Sequence, residues 1–184
     1  MYIKDFDTFM NESVIITGNK NKDIDLIFKS CSSFLIDKIV QDNISLTIKF
    51  KPLKPTQIGY ADIIDTLKNL KTKKFTITLN RDASLVYSFG AISHEITHIK
   101  QILKGELSLS KDNKYLLWLG KPYISVVDYM LLIDNNDYVK YKELPWELEA
   151  YNNQDLYPNI LKDSKVLDEL KGSTDTIDYI LDIL

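Results

Sequence analysis

The two histidines of this 184-residue chain, His94 and His98, stand four residues apart with a glutamate directly after the first, in the order His94-Glu95-Ile96-Thr97-His98. On an α-helix, residues i and i+4 lie one above the other on the same face. Both imidazoles therefore reach one metal ion, with the Glu95 carboxylate beside them. The helix that this spacing predicts is constrained on both sides. Advancing 100° per residue from His94 brings Leu85, Phe89, Ile92, Ile96, Ile99 and Leu103 within about 40° of the opposite pole, a stripe suited to a core. Gly90, Ala91 and Gln101 share the histidine sector, which is small and polar. Such a helix packs one side into a domain and lines a cleft with the other. The plain alternative, two surface histidines without a ligand, leaves the opposed faces unexplained.

A divalent ion held by two imidazoles takes at least one further protein ligand, and the chain has no third histidine. Gln101 and Lys104 stand where a continuation of the motif to a third histidine would place its glycine and its ligand. The single cysteine, Cys31, lies far upstream among apolar residues and is expected in a core. The third ligand is thus expected to be a carboxylate, from among Asp128, Asp134, Asp137, Glu143, Glu147, Glu149 and Asp155. In Leu144-Pro145-Trp146-Glu147-Leu148-Glu149-Ala150-Tyr151, Pro145 favours the first turn of a helix, which puts Glu147 early in it. Ala150 and Tyr151 share the face of Glu147, whereas Glu149 points about 160° away. Small Ala150 lets two helices approach closely, so Glu147 is the favoured ligand and Glu149 the fallback.

With these residues quoted, the chain resembles a known family. HExxH followed by Glu-x-x-Ala on a second helix is similar to the gluzincin branch of the zincin metallopeptidases, and the Leu-Pro-Trp-Glu-x-Glu-Ala-Tyr wording resembles small HExxH proteins of tailed bacteriophages. The resemblance covers roughly residues 75–151. It implies a zincin-like α+β fold, in which a small mixed sheet precedes the HExxH helix and a second ligand-bearing helix follows. It also implies zinc (Zn2+) held by His94, His98 and Glu147, Glu95 as catalytic base, and a peptide or protein substrate. The sheet edge beside the metal helix would pair with that substrate. One position departs from the pattern: Tyr151 stands where many gluzincins carry an Asp or Asn that orients a histidine. Asp155, Asp128 or a backbone carbonyl is the expected replacement, because metal-bound imidazoles donate their other N–H to such groups. Tyr138, Tyr141 and Tyr151 are candidates for stabilising an oxyanion.

The length and a 45% apolar content fit one domain over residues 1–184. Helices are expected over Ile24–Val40 and Tyr60–Leu70, and strands over Ile44–Phe50 and Phe75–Leu79. The metal helix should start near Asp82 or Ser84 and end at Gly105. Tyr115–Leu119 and Tyr123–Val127 read as a hairpin turning at Gly120-Lys121-Pro122, and Val166–Leu184 as one or two helices broken near Gly172. Met1–Glu12 is a short amphipathic segment resembling phage capsid-targeting peptides, with a simple terminal tail as the alternative.

Net charge is −3, Arg81 is the sole arginine, and no basic stripe interleaves with aromatics, so no nucleic-acid partner is expected. No run of 18 apolar residues and no signal-peptide pattern is present, which points away from a membrane and towards a host-cytoplasmic or virion-associated location. A phage structural or host-interaction protein with a structural or inactive zinc site is the alternative from a different functional class.

Overall fold

The structure, a computed structural model, describes residues 14–18, 22–36, 44–54, 57–68, 71, 73–154 and 159. The chain mixes α and β. Its first part comprises β1 (Val14–Thr17), α1 (Lys22–Leu35), β2 (Ser45–Lys51), β3 (Gly59–Ala61), α2 (Ile63–Lys68) and β4 (Lys74–Asn80). These strands form one mixed sheet in the order β1-β2-β4-β3, in which β1, β2 and β4 run parallel and β3 is an antiparallel edge. The period-2 alternation of Leu46, Ile48 and Phe50 on β2 is matched across the ladder by Phe75, Ile77 and Leu79 on β4. All six lie on one face, because paired residues in register project to the same side.

Helix α3 (Leu85–Leu103) packs on that face together with α1. Phe28 of α1 joins the layers: its ring lies 5.4 Å from Phe50 and 4.9 Å from Phe89. Of the expected stripe, Phe89, Ile92, Ile96 and Ile99 are buried, and Leu85 and Leu103 at the helix ends are partly so. Ser84 caps the N-terminus by accepting from the Tyr87 amide. At the other end Gly105 adopts φ 72°, and the amides of Gly105 and Glu106 return to the carbonyls of Ile102 and Gln101, closing the helix in a Schellman motif. Cys31 is buried in this core, as its apolar neighbours suggest.

Beyond α3 come β5 (Leu107–Leu109), β6 (Tyr115–Trp118) and β7 (Lys121–Ser125), an antiparallel sheet, then α4 (Val126–Asp134), α5 (Tyr138–Lys142) and α6 (Pro145–Asn152). Here a second apolar cluster joins Ile102 of α3 to Ile63, Leu107, Leu116, Tyr129, Leu144 and Trp146. The fully buried Trp146 ring is surrounded by Trp118, Tyr123 and Tyr129 at 6.1, 5.5 and 6.3 Å.

Several sequence expectations need correction. The helix expected from Tyr60 begins only at Ile63, because Tyr60 and Ala61 pair with Thr78 and Ile77. Asp62 caps α2, its side chain accepting from the Asp65 amide and its carbonyl from Thr66. Strand β3 also covers the edge that β4 was expected to offer, so the free edge beside the metal helix belongs to β3. The hairpin turns at Leu119-Gly120 rather than Gly120-Lys121-Pro122, since those two residues carry the paired positive φ angles, 50° and 77°, of a two-residue turn. Val126 and Val127 then belong to α4.

Strand β1 was not anticipated. It is followed by Gly18 at φ 83°, where a side chain would collide with the Phe50 carbonyl. Met1–Glu12, Asp155 and Val166–Leu184, for which the sequence carries expectations, lie outside the described residues. No helix among the described residues is long and apolar enough to cross a membrane.

Phe89 carries the contact between α3 and α1, so Phe89→Ala should destabilise the protein by about 3–5 kcal/mol in urea unfolding. A loss below about 1 kcal/mol would mean that the α3 stripe is not held by this core.

Candidate metal centre

Helix α3 brings His94 and His98 together on one face with their rings edge to face, centroids 4.7 Å apart at 84°. Helix α6 packs against that face. Pro145 occupies its first turn, and the buried Trp146 anchors it in the second apolar cluster. Ala150, without exposure, leaves room for the close approach. Glu147 consequently enters the space between the imidazoles. Its Oε2 lies 3.1 Å from His94 Nε2, and its Oε1 3.4 Å from His98 Nε2. The two Nε2 atoms are themselves 3.1 Å apart.

The donor set has the chemistry and spacing of a metal site. One ligand atom from each of the three residues lies within 4.8 Å of the others, and all three residues are buried. Tetrahedral coordination at bond lengths near 2.0–2.1 Å separates donor atoms by roughly 3.3 Å, close to the spacing seen. Glu147 Oε1 is buried without a hydrogen bond, and its contact with His98 is one of charge. A cation between these atoms satisfies what the protein groups leave open, so His94, His98 and Glu147 can hold a metal ion.

Without a metal, burial and the mutual attraction of these groups act against each other. Burial alone would raise the Glu147 carboxyl, but the two histidines outweigh it and bring it down to about 2. Burial likewise disfavours a charged His98, yet the charge of Glu147 beside it raises it to about 9. Glu95 shows the opposite balance: burial pushes its carboxyl upward, beyond what the neighbouring histidines offset. Its Oε2 accepts a 2.9 Å hydrogen bond from the Ala61 amide of β3. Gly59 makes that approach possible. A Cβ there would stand 2.8 Å from the Leu79 side chain and 3.3 Å from Ala91 of α3.

The support behind the ligands differs from the expectation. Asp128 is exposed and bonded to Ser125 at the start of α4, away from the site. Asp134 and Glu143 are exposed, and Asp137 caps α5 through Lys140. His98 Nδ1 instead meets Gln101 Oε1 at 2.9 Å. Sequence alone assigns Gln101 to the polar histidine sector without a partner; its i+3 position from His98 on that face is the available signal. Glu149 does not point away from α3 as expected. It binds Lys100 at 3.0 Å and Gln101 at 3.1 Å, because a long side chain on the flank of α6 reaches the C-terminal turn of α3. Both glutamates thus face α3, with Glu147 at the imidazoles and Glu149 behind them.

Tyr151 packs edge-on against His94 at 4.7 Å, and His94 Nδ1 has no hydrogen-bond partner among the described residues. Tyr141 is raised by burial, by Tyr129 and by the Glu147 charge. Tyr138 is exposed and bonds Asn136, outside the site.

Two outcomes follow from this geometry. Glu147→Ala should lose most bound zinc on elemental analysis, whereas Glu149→Ala should retain most of it; the reverse would move the ligand by two residues. His98 has a raised pKa in the folded state, so its stabilisation is complete below its ordinary value of 6.5 and is lost as pH rises through about 9. For Glu147 the contribution is complete above 4.5 and is lost as pH falls through about 2. Metal-free protein should therefore melt highest between pH 4.5 and 6.5 and lose stability towards pH 9. Zinc should remove the alkaline loss by replacing the proton. Superimposable alkaline melting curves with and without chelator would contradict this.

Compared with known proteins, the chain matches no family model, no curated protein and no solved structure.

Proposed function

We propose that this chain is a zinc-dependent peptidase of gluzincin type on a zincin-like scaffold, with His94, His98 and Glu147 as ligands and Glu95 as general base. The observation that carries this reading is the buried convergence of two imidazoles and one carboxylate, with a second carboxylate alongside. Zinc bound there would supply Lewis acidity, polarising a water and the scissile carbonyl. Glu95 takes the proton of the attacking water and passes it to the leaving amine. Two features suit it to this work: burial raises the proton affinity of its carboxyl above that of an ordinary glutamate, and the Ala61 amide fixes one oxygen. That amide belongs to the sheet edge, where an extended peptide can add by main-chain hydrogen bonding. Tyr141 and Tyr151 lie near the reacting groups, and Tyr129 beside Tyr141 also feels the Glu147 and Glu95 charges.

A second reading is favoured by burial. His94 is 8% exposed, Glu95 7% and Glu147 0%, a degree of enclosure that suits a structural metal in a non-catalytic protein. Glu95→Gln separates the two. On the catalytic reading this variant keeps its zinc but loses about 100- to 10,000-fold in turnover of a cleaved peptide found by substrate screening. Undiminished hydrolysis would remove Glu95 from the mechanism. Stoichiometric zinc without cleavage of any peptide by the wild-type protein would establish the structural reading.

A further inference from the structure

The amide of Gln101 has one arrangement that its surroundings allow. Its Nε2 lies 3.0 Å from the Trp146 carbonyl oxygen and 3.1 Å from Glu149 Oε2. Both partners are acceptors only, so the group facing them must be the NH2, which has two hydrogens to donate. The reversed amide would set its oxygen against a carbonyl and a carboxylate, losing two hydrogen bonds, the one to Trp146 buried, and adding repulsion. Lys100 fixes Glu149 in turn through a 3.0 Å ion pair. The Gln101 oxygen is thereby turned towards His98 Nδ1, 2.9 Å away, and an amide oxygen can only accept.

We propose that Gln101 is a positioning residue that keeps hydrogen on His98 Nδ1 and so presents the bare Nε2 to the metal. The proposal rests on the metal-site reading and deepens it. A neutral imidazole has one lone pair, and which nitrogen carries it is decided by the hydrogen bond made by the other. Here Nε2 is the atom that faces both His94 Nε2 and Glu147 Oε1. Gln101 lies on α3 with the histidine it orients, while two of its anchors, Trp146 and Glu149, belong to α6. Helix α6 therefore acts on the site twice, through Glu147 directly and through Gln101 from behind.

The test compares full-length wild type with Gln101→Met, which keeps the length of the side chain and removes its polar atoms. Zinc affinity is read by chelator competition, and histidine protonation by nitrogen-15 NMR of the zinc-loaded protein. Wild type should show hydrogen on Nδ1 of His98 and coordination through Nε2. Gln101→Met should bind zinc about 10- to 100-fold more weakly. Glu149→Ala keeps Gln101 with its Trp146 anchor, so it should show a loss of less than about 10-fold; it covers the case in which Gln101→Met fails to fold. Affinity in Gln101→Met within twofold of wild type, or hydrogen on Nε2 of His98 in the wild-type protein, would overturn the role of Gln101 and leave the metal site standing. Failure of wild type to take up zinc would overturn both.

Discussion

A carboxylate with no exposure, Glu147, sets the terms on which the two ligand helices meet. Removing an ionised carboxylate from water is tolerated only beside a cation or strong donors, and His94 and His98 both stand within ion-pair distance. Helix α6 can dock with Glu147 ionised only where α3 presents both imidazoles, one turn apart on the same face. The neighbouring residue, Trp146, supplies the opposite kind of constraint, filling an apolar pocket beneath β6 and α4. Consecutive residues thus set register by charge and depth by volume.

The edge strand is held to the same arrangement from the other side. Strand β3 is only three residues long, and its Ala61 amide turns to Glu95. Small groups permit this. Gly59 and Ala91 bring the strand backbone close to α3, so a small residue in the histidine sector makes room for a neighbouring backbone.

How much of this was legible in sequence depended on the range of the interaction concerned. The α3 stripe and the stacking of His94 over His98 follow from helical periodicity, and Pro145 with Ala150 marked the start and contact face of α6. Those signals are local, and they brought together the three residues that meet in the structure. Gln101 and Glu149 were harder. Their roles depend on how α6 crosses the last turn of α3, a fact of packing that no period encodes. A helical wheel assigned Glu149 to the far side because it treats the side chain as a point at its Cβ, whereas a glutamate is long enough to reach around. Strand β1 is four residues and gains its partner only when β2 lies beside it. Tyr60 and Ala61 likewise join the sheet through pairing with β4, although their spacing also suits the start of a helix.

Helix α3 contributes Phe89, Ile92, Ile96 and Ile99 to one apolar cluster and Ile102 to the other. The histidines sit near the junction, and Glu147 arrives from the second cluster beside Trp146. The ligand set is therefore a conjunction: it exists only when both apolar clusters have formed and are aligned along the same rod. Such a centre can come apart by a small slippage between the cores while each remains folded, which makes it a more sensitive gauge of their alignment than either core's own packing.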